Sequence, residues 1–479
     1  MYNSFDLDET IVAIATPAGS GAIAVIRLSG KNAITIVDNL FKSKKLIEQA
    51  THTIHLGYIR DEKNVIVDQV LVSLFKEPNS YTKENVVEVS CHGSRFIQQR
   101  LIELFLRQGA RMAREGEFTL RAFLNGQMDL SQAEAVADLI SADSESAHQL
   151  ALQQMRGGFS DEIQKLREDL IHFASLIELE LDFGEEDVEF ADRDDLKELV
   201  NKIQTLLKRL LDSFQLGNAI KNGINTVIAG RPNAGKSTLL NALLNEDRAI
   251  VSAIAGTTRD TIEEVLNIKG VEFRLIDTAG IREAGDQIEA IGVEKTLEKV
   301  AQSSILVYVY DMTTLKAPDV KADLDKLYKE GMKVLMIANK CDEYYSIHDN
   351  VRYHMEKEAS EKGWDQIFED LGTKGFYYRE ITAKEKRGLD GLKEDLYNAV
   401  LDGELMQGDV VVSNLRHYEA LQKSNESLDK VLEGLQMGIT GDFLAMDIRH
   451  ALHHLGEITG EISTDDLLGN IFSNFCIGK

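Results

Sequence analysis

The stretch INTVIAGRPNAGKSTLLNALL, Ile224 to Leu244, decides the fold of its region. Its first seven residues, INTVIAG, are mostly apolar or β-branched and read as a strand; STLLNALL reads as the start of a helix. Between them GRPNAGKS, Gly230 to Ser237, fits the spacing G-x4-G-K-S, which needs a strand before it and a helix after it. The chemistry follows from the residue types. Glycines let backbone N–H groups approach a β-phosphate, and the start of a helix favours an anion. Lys236 reaches β and γ oxygens and assists catalysis, and Ser237 ligates magnesium. Asn233, Ala234, Gly235, Lys236, Ser237 and Thr238 are the expected nucleotide-binding residues.

Further along, VEFRLI, ILVYVYD and KVLMIANK alternate with helical patterns, as in a parallel sheet covered by helices. Short motifs stand at the expected strand ends. GTTRD, from Gly256, lies in the loop before VEFRLI, where Thr258, with Thr257 close by, completes the magnesium shell. DTAG, Asp277, Thr278, Ala279 and Gly280, sets a carboxylate near magnesium and a glycine N–H near a γ-phosphate. NKCD contributes Asn339, Lys340 and Asp342; the Asp342 carboxylate accepts from guanine N1–H and the exocyclic amine, a donor pair adenine lacks. Thr382, Ala383 and Lys384 in ITAK stand where a backbone N–H for guanine O6 is expected. GTP and GDP are the ligands this order implies. Ile281 follows DTAG, so no glutamine is available there to orient water, and Glu289 is the acid expected to position it. The Asn233 side-chain carbonyl offers a ligand to a monovalent cation, potassium, beside the phosphates.

The chain of 479 residues is too long for one core. No apolar run reaches membrane-spanning length, and Cys91, Cys341 and Cys476 lie far apart without a CxxC, so a cytoplasmic protein without disulfides is expected. A net charge of −26 disfavours indiscriminate nucleic-acid binding. One local basic run, Arg95, Arg100, Arg107, Arg111, Arg114 and Arg121, reads either as an RNA face or as a helix face with internal ion pairs, the second being favoured on pattern. The first 126 residues alternate short apolar runs with helical patterns, as an α+β domain does; SQAEAVADLISADSESAHQLALQQM and DEIQKLREDLIHFASLIELELDF are helical. GEEDVEFADRDD, from Gly184, reads as a solvated connector, and His450, His453 and His454 as a surface face without a matching acid cluster. Helical periodicity returns after residue 403. The expected organisation is an α+β domain at 1–126, helical parts at 127–222 and 403–479, and a Ras-like α/β P-loop domain inserted at 223–402.

With these motifs read, the whole chain resembles the MnmE (TrmE) family of tRNA-modification GTPases. GEFTLRAFLNGQMDLSQAEAV, from Gly116, and the terminal FCIGK, Phe475 to Lys479, carry the resemblance outside the P-loop region. It implies a homodimer working with an FAD-dependent partner, MnmG (GidA), to install an aminomethyl-type (carboxymethylaminomethyl) group at C5 of the wobble uridine of certain tRNAs. It also implies a one-carbon donor, 5-formyl- or methylene-tetrahydrofolate, and P-loop domains that pair across the dimer with potassium and GTP. By the same resemblance the cation's further ligands map to Ser252, Ile254 and Thr257, and the folate pocket of the N-terminal domain to Arg27, Glu88 and Lys479. Gln127 stands where relatives often carry lysine. Cys476 reads either as a catalytic thiolate at the folate or uridine or as a small apolar residue of a packed tail. A regulatory G-protein switch for ribosome assembly or signalling, and a folate-dependent transferase merely stabilised by nucleotide, are the alternatives from other classes.

Overall fold

The computed structural model describes residues 8–182, 193–247, 263–277, 303–329, 331–347, 376–400, 410–473 and 475–478. The chain falls into two compact units: Met1–Ser141 with Ala151–Leu207 and Glu419–Lys479, and Ala142–Leu150 with Lys208–Tyr418.

The first unit begins with β1 (Ile11–Ile14), β2 (Ile23–Ser29), α1 (Ala33–Leu40), β3 (Thr53–Arg60), β4 (Ile66–Phe75), β5 (Val86–His92), α2 (Arg95–Arg107), β6 (Arg111–Met112) and α3 (Glu117–Leu124). The six strands form one sheet in the order β3-β4-β5-β2-β1-β6, with only the β1–β6 pair parallel. Ile26, Leu28, Val70, Val72 and Val89 point to one face and share a core with Val37 of α1 and Leu101 and Phe105 of α2. Close packing explains Gly57: a Cβ there would lie 2.2 Å from the Phe41 ring. On the opposite face, Ile11 and Ala13 meet Phe118 of α3, whereas Ile54, Leu56, Tyr58 and Leu71 of β3 and β4 are exposed.

Four arginines of the run are paired with carboxylates. Arg100 pairs with Glu103 and Asp61, Arg107 with Glu103 and Glu62, and Arg111 with Glu9 and Glu117. Arg121 is fully buried; it donates to Glu84 at 3.1 Å, to Glu117 at 3.1 Å and to the Glu9 carbonyl at 2.9 Å. The ion-paired reading of this segment therefore holds for these four arginines. Glu117 is tightly engaged: burial alone would raise its pKa, but Arg111, the Arg114 amide and Arg121 outweigh that and hold it below the usual value.

The helices α4 (Leu130–Ser141), α5 (Glu145–Met155), α6 (Gly158–Asp182) and α7 (Arg193–Asn222) follow. The segment read from sequence as one helical run is two helices, because Ser144 starts α5: its hydroxyl accepts from the Ala147 amide at 3.2 Å. The acidic connector from Gly184 lies outside the described residues up to Ala191 and Asp192.

The second unit carries β7 (Ile224–Ala229), α8 (Lys236–Asp247), β8 (Glu263–Ile268), β9 (Val271–Asp277), β10 (Ile305–Asp311), α9 (Ala317–Leu327), β11 (Lys333–Asn339), α10 (Cys341–Ile347), β12 (Phe376–Glu380), a 3-10 turn at Ala383–Glu385 and α11 (Leu389–Val400). Its sheet runs β12-β11-β10-β7-β9-β8, parallel throughout except at the β8–β9 hairpin. The alternation of strands and helices anticipated this sheet; β8, between GTTRD and VEFRLI, was not anticipated. β10 is buried along its whole length, which is why it reads as a continuous apolar run rather than an alternating one. Leu239, Leu243, Leu392 and Leu396 of α8 and α11 cover one face, and Val320 and Leu324 of α9 the other.

The chain then forms α12 (Leu415–Met437), α13 (Gly441–Thr459) and α14 (Asp465–Phe472). In the first unit α13 lies along α6. Buried positions recur every three or four residues on both, at Ile163, Leu166, Leu170 and Ile177, and at Leu444, Ile448, Ala451 and Leu455. Gln204 of α7 donates to Asp429 of α12 at 2.6 Å. None of the described helices is long and apolar enough to cross a membrane.

Replacing Arg121 by Met leaves the Glu117 and Glu84 carboxylates short of a partner in a buried site and is expected to destabilise the first unit by about 3–5 kcal/mol. Urea unfolding of the full chain measures it. Because the Glu117 pKa is depressed in the fold, its contribution is present above the unfolded carboxylate value and is lost as pH falls through the folded one. The gap between wild type and variant should therefore narrow on acidification, and a constant gap would refute this account.

Candidate functional site

The parallel strands of the second unit all end at one edge of its sheet. β7 is first in sequence but central in order, with β9 on one side and β10 on the other, so the loop after β7 lies where the winding direction reverses, the place where open parallel sheets bind ligands. That loop is GRPNAGKS. Gly230 has φ 151°, and a Cβ there would lie 2.0 Å from the Val309 carbonyl oxygen; Gly235 has φ 95°, and its Cβ would lie 2.1 Å from Asn339 Nδ2. Asn233 adopts φ 61°, a left-handed conformation that asparagine tolerates better than most residues. Backbone conformations of this kind line up successive N–H groups for an anion. Lys236 is buried, its ammonium donating to the carbonyls of Gly230 at 2.9 Å and Arg231 at 3.0 Å across the loop. Ser237 and Thr238 are exposed in the first turn of α8, where a helix start favours negative charge. The residues present therefore fit a nucleotide polyphosphate. Arg231 anchors the loop from outside: its guanidinium meets both Asp323 oxygens, at 2.7 and 3.2 Å, and the same carboxylate accepts Tyr308 Oη at 2.6 Å.

Asn339, at the end of β11, joins this loop to the TAK segment, Thr382 to Lys384. Its Nδ2 donates to the Ala234 carbonyl at 2.9 Å and its Oδ1 accepts the Ala383 amide at 3.0 Å. The Thr382 amide donates to the Arg387 carbonyl, and Lys384 follows in the 3-10 turn. Lys340, at φ 65°, extends its ammonium to Asp311 Oδ2 at 2.6 Å. Burial works against the Asp311 charge, yet Lys340 and Thr313 outweigh it and hold this carboxyl below the usual range. Asp311 was not singled out from sequence; its position at the end of a buried strand, beside NKCD, was the available signal. Asp342 stands in the first turn of α10. The neighbouring Cys341 thiol is pushed up to about 12, chiefly by burial, and stays protonated.

The structure thus brings Asn233 to Thr238, Asn339, Lys340, Asp342 and Thr382 to Lys384 to one sheet edge. Asp277 ends β9 there, with Ile228 opposite in register. Ser252, Ile254, Thr257, Thr258, Thr278, Ala279, Gly280, Glu289 and Lys479 lie outside the described residues, as does the Asp277 side chain.

A second constellation occupies the first unit. Arg27 of β2 and Glu88 of β5 are register partners, bonded through Arg27 Nε at 2.9 Å and Nη2 at 2.8 Å. Tyr81 and Phe118 each face the Arg27 guanidinium at 5.8 Å. Arg27 also donates to the Gly478 carbonyl at 3.2 Å. Residues 475–478 therefore dock beside this pair: Ile477 bridges to Glu115, and a Gly478 Cβ would lie 2.5 Å from the Ile14 carbonyl oxygen. Phe475 is buried and Cys476 exposed, so the reading of Cys476 as a packed apolar residue does not hold. Gln127 is exposed just beyond α3, and the adjacent Gly126 carbonyl accepts the Lys83 ammonium at 2.6 Å. Sequence reading missed Tyr81 and Lys83, since nothing local marks a residue 54 positions from Arg27 as its neighbour. Among the described residues one cluster of possible metal ligands occurs, His453, His454 and Glu457 on α13. Glu457 supplies an acid that the sequence reading had not matched to these histidines; it lies 3.2 Å from His454 Nδ1 and 3.5 Å from His453 Nε2, and these contacts account for the group as an imidazole–carboxylate surface cluster.

A phosphate loop at the reversal point, tied by one asparagine to NKCD and TAK loops, defines the class: a P-loop guanine-nucleotide-binding protein. Family models then agree along the chain: a GTP-binding protein TrmE N-terminus model matches residues 10–127 and an MnmE helical domain model residues 130–476. Curated relatives named tRNA modification GTPase MnmE include those of Christiangramia forsetii, 56% identical over 99% of this chain and 100% of the relative, and Cytophaga hutchinsonii, 54% identical over 98% of each. That of Bacteroides thetaiotaomicron is 48% identical over 98% of this chain and 99% of its own. Among solved structures, the G domain of FeoB from Methanococcus jannaschii aligns at 22% identity over 37% of this chain and 97% of its own, with a TM-score of 0.26. The chain belongs to the MnmE family of tRNA modification GTPases.

A Gly235→Ala substitution places a methyl group on Asn339 Nδ2 at a positive φ. Fluorescent-GDP titration of this variant is expected to register at least a hundredfold weaker binding, about 2.7 kcal/mol; unchanged affinity would remove the loop–asparagine contact from the account.

Proposed function

We propose that this chain is a potassium-activated GTP hydrolase that, as a homodimer in the cytoplasm with an FAD-dependent MnmG partner, installs an aminomethyl-type group at C5 of the wobble uridine of certain tRNAs. The observation that carries the GTPase half is the Asn339 bridge, which holds the phosphate loop and the base-reading loop at a fixed separation. In this reading Asp342 accepts from the two guanine donors, the Lys384 amide faces O6, the Thr382 and Ala383 amides being spent on the Arg387 carbonyl and Asn339 Oδ1, and Lys236 holds β and γ oxygens. Ser237 and Thr258 would hold magnesium, with the Asp277 carboxylate near it, and the ion would supply charge neutralisation at the phosphates. Asn233, Ser252, Ile254 and Thr257 hold potassium, and Glu289 orients the attacking water. The left-handed Asn233 at the head of the loop supports the cation assignment, since it sits beside the amides that would face phosphate.

The first unit takes the folate derivative. Arg27, Glu88, Gln127 and Lys479 are the assigned contacts, and the docking of the FCIGK tail against Arg27 favours one pocket rather than separate features. The exposed apolar face of Ile54, Leu56, Tyr58 and Leu71 suits a dimer contact, because a solvated sheet face alternates to polar residues instead. Exposure of Cys476 on that tail keeps its thiol accessible for nucleophilic work at the folate or uridine.

GTP turnover of the full chain should be at least tenfold faster in potassium than in sodium and rise per molecule with protein concentration. Glu289→Ala should lower kcat by two or more orders of magnitude while GDP binding persists. Equal rates in the two salts would remove the cation. Cys476→Ser should abolish wobble-uridine modification in a deletion strain and leave GTP turnover unchanged; full modification would end the thiol's catalytic role.

A further inference from the structure

The two loops assigned to the base leave adjacent strands, β11 and β12, and something must fix their spacing. Asn339 does so on the side of the phosphate loop. α10, whose first turn carries Asp342, has seven residues, too few to hold a helical geometry without tertiary contacts. Its start is fixed by Lys340 on Asp311 and by the Cys341 thiol on the Ala338 carbonyl at 3.2 Å. Its second turn is fixed by Tyr345, three residues beyond Asp342, whose hydroxyl donates to Glu380 Oε2 at 2.6 Å. Glu380 ends β12, stands opposite Ala338 in register and precedes Thr382 by two residues. Its other oxygen accepts Tyr378 Oη at 3.0 Å, and Tyr378 is in turn hydrogen-bonded to Tyr310 of β10, next to Asp311. Burial, above all, raises the pKa of all three phenols, so each remains protonated, and the two that face Glu380 remain donors to it at any physiological pH.

We propose that Glu380, acting through Tyr345, is a positioning residue for guanine selectivity: it holds the helix that carries Asp342 at a set distance from the Thr382–Lys384 loop. Guanine presents O6 on one side and N1–H with the exocyclic amine on the other, so the two loops read it well only at one spacing. The phosphate loop is held separately, by Lys236 on its own carbonyls and by Arg231 on Asp323. Loss of the Glu380 contact therefore falls on recognition of the base and spares the reaction at the phosphates. The inference rests on the reading that Asp342 faces guanine.

The test measures KM and kcat of the full chain for GTP and for ITP, which lacks the exocyclic amine. Tyr345→Phe, which removes only the hydroxyl, should raise KM for GTP about tenfold and for ITP less, so that the preference for GTP over ITP falls about threefold while kcat stays within twofold. Glu380→Gln keeps one oxygen acceptor and should give a smaller loss in the same direction; should it fail to fold, Tyr345→Phe alone decides. An unchanged GTP-to-ITP preference, whether KM values hold or rise together, overturns the positioning role. Asp342→Asn is the control: a shift toward XTP supports the guanine reading, whereas no shift overturns that reading and the inference with it, a failure distinct from that of Glu380.

Discussion

One side-chain amide constrains the whole nucleotide site. Asn339 spends its donor on Ala234 of the phosphate loop and its acceptor on Ala383 of the Thr382–Lys384 loop, so three segments remote in sequence share one rigid group. A buried amide left unpaired is costly, which makes the arrangement close to all-or-none. The contact also explains the residue type at position 235. Asparagine approaches so near that any side chain there would overlap it, and the backbone is already in a conformation that only glycine adopts freely.

The first unit rests on a different economy. A fully buried guanidinium is tolerable only with charged and carbonyl partners on several sides, and Arg121 has Glu84, Glu117 and the Glu9 carbonyl. The network ties α3 to the loop before β5 and to the chain preceding β1. It stands next to the face on which Arg27 and Glu88 pair and the C-terminal segment docks, so the same ordered scaffold presents the candidate folate contacts. Arg100, Arg107, Arg111 and Arg121 are neutralised within the strongly acidic chain by carboxylates of the same unit.

The loops that follow β11 and β12 show how the geometry of a short element is set by contacts with neighbouring strands. Asp311 holds Lys340, Glu380 holds Tyr345, and each pair sits on a strand neighbouring the one it supports. Short elements such as α10 take their geometry from such neighbours, because their own hydrogen bonds are too few.

Much of this was legible in the sequence, for a definite reason. The G-x4-G-K-S spacing, the apolar runs of β7, β10 and β11 and the motifs at their ends are local patterns. Backbone chemistry and strand periodicity act over a few residues, so the parallel sheet, and the placement of Gly230, Lys236, Asn339 and Asp342 at the ends of its strands, could be read locally. Tertiary structure decided what depends on residues far apart. Whether Arg100, Arg107, Arg111 and Arg121 were a basic face or an ion-paired one, whether Cys476 was packed or exposed, and that Glu380, Tyr81 and Gly478 stand beside functional groups were all settled by folding. Pairing and burial are properties of which surfaces meet, and a linear pattern does not show which of several candidate partners, near or far along the chain, a side chain takes.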